Sequence, residues 1–590
     1  MRRGLVLRRG AMALMVTLLA VGVQAVPVSA GEPAAPGECA ALKPLSEVAV
    51  GATGNGWTVE RGTQRERFRF EVLGIIEGGI APGRDLIVVE VSDTEGNDMI
   101  DRAGGIWAGM SGSPVYLGNK LLGAIAYGFT AGPSNIGGVT PAVDMADVLD
   151  YSAASSSPAM PARVSVPRSM QPALAERAGV AQSEASSFER LPIPFSVSGL
   201  NARGRSELQK SLDERGISAI VVPAATAARS AGTVISSRPA PGGNFAGVIS
   251  YGDVTLGGIG TTTYVCGNKA LAFGHPFTFR GAVAFGANNA NAIAVIADPT
   301  LTPFKMANIT GLFGKLDQDR LTAIRAKLNS TPAMRPITSH ITNADTGVAR
   351  NGRTDVTMSD WVPNVAPLHL LSNSDVVFDQ IGDGSSLVSW TIRGKRRNGN
   401  PWQLEYTNRY ASQFDISFQS AFQLADQLAT INDNPFEAIR FTSVQIDATL
   451  DDTFRQYAIE GVKISKNGGQ FRERSDLTVS PGDNIRARVA LRRYRGDLVT
   501  ANLEVNVPGS AEPGSFGSLV IQGGSEIFGG GPSANSFPQL INALENTPRN
   551  DDLLADLFLS SFDGGSSSTV DAHRMDAVVR GYVEIGVSVE

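Results

Sequence analysis

The sequence predicts a mainly β protein, and three observations predict it. Glycine is abundant, at 65 of 590 residues, and runs of Val, Thr and Ser recur between turn signals. Several segments alternate apolar and polar residues with period two, residues 67–74 and stretches within 438–507 among them. One stretch, Gly104 to Phe129, reads as a tight hairpin entered through a glycine-rich turn. Its apolar runs Val115–Leu117 and Leu121–Tyr127 flank Gly118-Asn119-Lys120, and Gly-Asn supplies the positive φ that tight turns need.

Length and charge bound the rest. A chain of 590 residues holds several domains. Lys and Arg number 51 and Asp and Glu 57, a net charge of -6 with no basic patch, which argues against a nucleic-acid partner. Arg2, Arg3, Arg8 and Arg9 precede an apolar run from Ala11 to Val23, and Val28-Ser29-Ala30 offers a small-residue cleavage site. Residues 1–30 therefore read as a signal peptide, with Gln24-Ala25 a second cleavage candidate, and the protein as exported to the envelope or medium. No later run approaches the roughly 18 apolar residues of a membrane span, so none is expected in the mature protein. The two cysteines, Cys39 and Cys266, are candidates for one disulfide in an exported protein, or two separate thiols.

Taken in order, residues 31–40 are Pro- and Ala-rich and loose. From 40 to 150 the chain is β-like. Asp85–Ser92 is a buried strand, the serine hairpin follows, and Ala142–Tyr151 is a short helix. Residues 151–185 are a linker by composition, rich in Ser, Pro and Ala over 152–168. A second unit spans 186–330. Leu191–Gly199 is extended there, with Pro192 and Pro194 confining it to a sheet edge. Arg203–Gly216 is a helix, and strands at 245–253, 261–265 and 271–275 precede a second helix at Leu316–Asn329. Residues 331–437 are β-rich. Residues 438–510 alternate clearly and suggest a β-sandwich, with Ser480-Pro481-Gly482-Asp483 as a turn. The remainder, 511–590, is Gly-rich and then helical over Phe537–Phe558, with a break near Pro548 and a last strand at Val578–Val589. No internal repeat is visible.

Chemistry concentrates at Gly109-Met110-Ser111-Gly112-Ser113-Pro114. Glycines on both sides of Ser111 allow a sharp turn and close approach of another segment. A serine there can present its hydroxyl beside the N–H groups of Gly109 and Ser111, a nucleophile next to an oxyanion hole. An inert glycine-rich turn is the plain alternative. The G-x-S-x-G elbow is absent, because Ser113 stands where its second glycine belongs. Gly78-Gly79 with Gly83 lacks the Lys-Ser/Thr of a phosphate loop, and Gly257-Gly258-Ile259-Gly260 is followed by a strand rather than a helix. No His/Cys cluster has metal-ligand spacing, so neither a metal nor a cofactor is implied.

The six residues Gly-Met-Ser-Gly-Ser-Pro, led by Gly104-Gly105-Ile106 and followed by the hairpin into Leu122-Gly123-Ala124, resemble the serine motif of the SpoIVB peptidase family. Those are trypsin-like serine peptidases of bacteria. The resemblance implies a trypsin-like β-barrel unit, a peptide or protein substrate and Ser111 as nucleophile. Met110 stands where trypsin-like enzymes carry aspartate, so activation by a newly cut N-terminus is not expected. Four histidines occur, His275, His340, His369 and His573, and none precedes Ser111, a departure from the family order. Triad order is not fixed by chemistry. His275, in Phe273-Gly274-His275-Pro276-Phe277, is similar to the family's Gly-His element and is the candidate base. The family pattern places the acid at a strand end before the Gly-Gly, which selects Asp93, with Asp98 and then Asp101 as alternatives. Each also suits a plain turn. The resulting expectation is an exported serine endopeptidase working through an acyl-enzyme. A catalytically inactive peptidase fold serving as a secreted or envelope binding module is the second reading.

Overall fold

The computed structural model describes residues 39–129, 132–153, 163–225, 236–298, 302–527, 534–561 and 564–590. The signal-peptide reading lies outside these residues. The chain opens with six strands, β1 (Thr53–Thr58), β2 (Glu66–Ala81), β3 (Arg84–Ser92), β4 (Pro114–Leu117), β5 (Lys120–Phe129) and β6 (Ile136–Pro141). They close into an antiparallel barrel in the ring order β1-β2-β3-β6-β5-β4, with β4 returning to β1. The alternation in β2 turns Phe68, Phe70 and Val72 inward, where they meet Ile87, Val89 and Val91 of β3. β3 is apolar on both faces because its outer face is also covered. Leu86 and Val88 pack with Leu174 and Ala175 of the helix at Gln171–Ala178, inside the stretch read as linker. The serine hairpin closes with the two-residue turn Gly118-Asn119, Gly118 holding φ 62°.

Short strands β7 (Val164–Ser165) and β8 (Ser187–Arg190) continue that sheet. Next come β9 (Ile193–Ser198), helix 202–214 and β10 (Ala219–Pro223). Six further strands follow: β11 (Asn244–Gly252), β12 (Thr255–Cys266), β13 (Lys269–Ala272), β14 (Gly281–Ile296), β15 (Phe304–Asp319) and β16 (Ile324–Leu328). They close into a second antiparallel barrel, β11-β12-β13-β16-β15-β14 and back to β11. Strand for strand this is the ring order of the first barrel. The repeat absent from the sequence is thus present in the pairing order. Phe245, Phe273, Phe277, Phe285 and Phe313 fill the second barrel.

The sheet extends from β11 through β18 (Ala349–Val356), β17 (Arg335–Asn343), β21 (Ile439–Asp451), β19 (Gly384–Arg396) and β20 (Pro401–Ser412). The helices at 362–378, 422–432 and 537–545 bury apolar faces in the same core. The last unit is a β-sandwich of a four-stranded and a five-stranded sheet, built from residues 456–590 around one shared core.

The fold departs from the sequence reading in several places. The sandwich begins at 456 rather than 438, because β21 pairs with β17 and β19 instead. It also uses the stretch read as tail. Residues 552–560 are a strand, not a helix: Leu553, Ala555, Leu557 and Leu559 alternate inward, and only 537–545 is helical. The helix expected at Leu316–Asn329 is the end of β15 and all of β16, which bonds to strands on both sides. In both cases sheet pairing overrides the helix propensity of Leu and Ala. Strand β9 is interior, lying between β10 and β12, and Pro194 sits one residue before its pairing with β12 begins.

Candidate active site

Ser111 lies in the connection between the third and fourth strands of the first barrel. His275 lies in the same connection of the second. The two barrels meet face to face along these loops. On the serine side, Gly109 and Gly112 hold φ of 93° and 94°. A Cβ on Gly112 would stand 2.1 Å from the Thr261 carbonyl, and one on Gly109 would stand 2.9 Å from Lys305 Cβ. Only glycine permits this approach. Strand β12 of the other barrel then clamps the loop. Thr261 N–H donates to Ser111 O at 2.8 Å, Thr261 Oγ1 to Gly109 O at 3.1 Å, and Thr263 Oγ1 to Gly112 O at 2.7 Å. Ala108 exchanges backbone bonds with Pro303 and Lys305. Met110 is fully buried in the first barrel's core, which accounts for an apolar residue at that position.

On the histidine side, Phe273 and Gly274 hold φ of 71° and 69°. A left-handed phenylalanine is strained, and burial among Phe245 and Phe277 holds it there. Thr140 of β6 donates to Gly274 O at 2.6 Å and ties this turn to the first barrel. The turn delivers His275 Nε2 to 2.9 Å from Ser111 Oγ. Both side chains are buried, at 2% and 1% exposure. The other ring nitrogen, Nδ1, lies 2.7 Å from the Pro276 carbonyl. A carbonyl only accepts, so Nδ1 carries the hydrogen and Nε2 presents a lone pair to the serine hydroxyl. Burial holds the ring's pKa down to about 3; the Pro276 bond opposes this and the charge of Arg190 adds to it. The imidazole is therefore neutral at neutral pH, the form a general base requires.

Neither the Gly109 nor the Ser111 N–H donates to a protein group among the described residues. The loop's other amides are engaged: Met110 to Trp107 O, Gly112 to Ile125 O and Ser113 to Met110 O. Two free amides, the nucleophile's own and one two residues before it, suit an oxyanion hole.

The three aspartates take other places. Both Asp93 oxygens accept N–H groups at the start of the helix at Met99–Ala103, from Ile100 and Asp101, each at 2.9 Å. Asp93 is thereby a helix cap and not the partner of His275, a correction to the sequence reading. The orphan amides of a helix start are a nearby and strong claim on a strand-end carboxylate. Asp98 pairs with Arg102 and Asp101 is exposed. The carboxylate that shapes the histidine loop is instead Asp319, at the end of β15 and fully buried. It accepts Phe277 N–H at 2.8 Å, and Thr278 N–H and Thr278 Oγ1–H at 2.7 Å each. Burial raises its pKa, and these bonds act against that. Asp319 acts on His275 through the main chain that carries the Pro276 carbonyl. Of the remaining histidines, His340 bonds Asn351, His369 is buried between Thr354 and Ser339, and His573 is exposed.

Cys39 and Cys266 are joined, with Cα atoms 4.5 Å apart. Cys39 N–H donates to Val265 O of the second barrel, while Lys43 N–H and Ala41 O bond Leu121 of the first. The N-terminal segment thus straps the two barrels together on the serine-hairpin side. Among the described residues no helix is long and apolar enough to cross a membrane.

Thr261, Thr263, Thr140 and Asp319 were not visible as site residues in the sequence. The signal for the threonines was the run Thr261-Thr262-Thr263 behind Gly257-Gly258-Ile259-Gly260, whose small residues let β12 approach the serine loop. A Cβ on Gly260 would lie 3.1 Å from Ser111 O and 2.4 Å from the Phe273 ring. No curated protein and no solved structure matches the chain. Residues 40–142, which span the first barrel, the serine loop and its two candidate oxyanion amides, match the family described as SpoIVB peptidase S55.

Proposed function

We propose that the chain is an exported serine endopeptidase that hydrolyses peptide bonds through an acyl-enzyme on Ser111. The observation that carries this reading is the 2.9 Å contact between Ser111 Oγ and His275 Nε2, made across two barrels from residues 164 positions apart. Ser111 Oγ attacks the scissile carbonyl while His275 Nε2 takes its proton. The oxyanion forms toward the N–H groups of Gly109 and Ser111. His275 returns the proton to the leaving amine, and water then repeats the sequence on the ester. The Pro276 carbonyl keeps Nδ1–H in place through both steps and steadies the imidazolium less than a carboxylate would. Export rests on the arginine-rich leader and Val28-Ser29-Ala30, with cleavage after Ala30; N-terminal sequencing of the mature protein is expected to begin at Gly31.

A second reading, an inactive peptidase fold serving as a secreted or envelope binding module, draws on the absence, among the described residues, of a side-chain carboxylate at Nδ1. One experiment separates the two. A fluorophosphonate reacts with a serine only where a base activates it. Mass spectrometry is expected to find the adduct on Ser111 in the folded protein, and His275→Ala is expected to abolish it. A folded protein that resists the reagent, or labels equally without His275, contradicts the peptidase.

A further inference from the structure

A cavity of about 210 Å³ opens beside His275, which lines it together with Pro276, and the chemistry above leaves the cavity's two arginines unused. Arg190 of β8 and Arg215, just past the helix at 202–214, stand in it with Pro276, Thr278 and Ser218. Among the described residues two arginines line the cavity and no carboxylate does. Arg215 is fixed: it donates to the Asp360 carbonyl at 2.9 Å and stacks on Trp361 at 4.5 Å. Arg190 is different. Its Nε is buried without a hydrogen-bond partner, and no bond or ion pair joins its guanidinium to another group among the described residues. The adjacent Glu189 is taken by Arg163, and Asp319 is taken by the amides of the histidine loop. Burial pushes the Arg190 pKa down, as it does for any cation lacking a partner. A half-buried guanidinium whose inward Nε–H has no acceptor is costly unless something anionic completes it.

We infer that this cavity is a specificity subsite that binds a carboxylate of the substrate through Arg190, with Arg215 as its fixed positive wall. The inference rests on the proposed peptidase reading for its position beside the scissile bond, but the binding itself does not. The planar fork of Arg190 offers two parallel donors to a carboxylate, and the apolar rim of Ile193, Ile217 and Phe279 excludes water around it. Two sources share this chemistry: an acidic side chain flanking the scissile bond, and a free C-terminal carboxylate.

The test uses the full mature protein with its histidines labelled with ¹³C. Only four histidines occur, so the His275 ring signal is assignable by His275→Gln. The probes are N-acetyl-aspartate amide and N-acetyl-glutamate amide, their asparagine and glutamine isosteres, and N-acetyl-alanine with a free carboxylate. The side-chain acids are expected to shift the His275 signal saturably, and the isosteres to bind at least tenfold more weakly. A response to N-acetyl-alanine instead assigns the subsite to a chain terminus. Arg190→Gln is expected to weaken acid binding at least tenfold, and Arg190→Lys to restore part of it, with the other three histidine signals reporting an intact fold. Equal response to acids and amides, or acid binding unchanged in a folded Arg190→Gln protein, overturns the inference. Fluorophosphonate labelling of the same sample reports on the peptidase separately: acid binding without labelling keeps the subsite and rejects the enzyme, and labelling without acid binding does the reverse.

Discussion

Replacing Asp319 by asparagine keeps the shape of the side chain and removes one acceptor. In the native site Oδ1 receives Phe277 N–H, while Oδ2 receives Thr278 N–H and Thr278 Oγ1–H, with Arg280 N–H longer at 3.4 Å. An asparagine oxygen placed on the Oδ2 side keeps the Thr278 and Arg280 bonds. Its NH₂ then faces the Phe277 N–H, donor against donor. An orphaned buried donor costs about 1–3 kcal/mol. The neutral amide also escapes the burial penalty that raises the Asp319 pKa, which offsets part of that loss. A net destabilisation of about 1–2 kcal/mol is expected, small enough to leave the protein folded. The substitution also acts locally, because Phe277 follows the residue whose carbonyl holds His275 Nδ1. Loss of that orientation is expected to slow fluorophosphonate labelling of Ser111 at least tenfold. Urea unfolding measures the first quantity and the labelling rate the second. A folded Asp319→Asn protein that labels at the wild-type rate refutes the claim that Asp319 positions the base. No loss of stability refutes the hydrogen-bond accounting as well.

Other outcomes follow from the same geometry. His275 and His369 are buried neutral, with pKa values near 3 and 4, so the folded state binds fewer protons than the unfolded chain below pH 6.5. Stability is therefore full above pH 6.5 and falls toward pH 4 at about 1.4 kcal/mol per pH unit for each ring, which urea midpoints across that range will show. For the same reason the labelling rate of the folded protein is expected to stay level from pH 8 to pH 5; an inflection near 6.5 counts against a buried neutral base. Reduction of Cys39–Cys266 opens a link spanning 227 positions and is expected to cost about 5 kcal/mol in the chain-entropy account, read as a lower urea midpoint under reducing conditions. Gly112→Ala places a Cβ 2.1 Å from the Thr261 carbonyl at φ 94°, so it is expected to abolish labelling while the C-terminal sandwich stays folded.

What the sequence made legible was local. Gly109 to Pro114 and Phe273 to Phe277 announce themselves because sharp turns demand glycine and proline at fixed places. The hairpin at Gly118-Asn119 was readable for the same reason. The partner of His275 Nδ1 was not, because it is a main-chain carbonyl and every residue has one. Asp93 stood at the expected strand end, yet the start of the helix at 99–103 had the nearer claim on its oxygens. Asp319 looked like part of a helix, since Leu316 to Asn329 favours helix by composition while its pairing partners lie on β13 and β14. The two matching barrels could not be seen for a similar reason. Their likeness lies in which strand bonds to which, and pairing order leaves little trace in residue identity. Arg190 carried no signal at all; only the absence of a partner for its Nε among the described residues singles it out.

The central claim is that Ser111 and His275 act as one catalytic unit across the two barrels. Turnover of an internally quenched peptide library by the mature protein tests it directly, with Ser111→Ala, His275→Ala and the double variant beside the wild type. Residues that work as a unit are not additive. Each single substitution is expected to remove nearly all hydrolysis, the double variant to be little worse than either, and a serine-linked acyl-enzyme to be trapped from the wild type alone. Hydrolysis that survives in folded Ser111→Ala protein, or losses that multiply in the double variant, would contradict it.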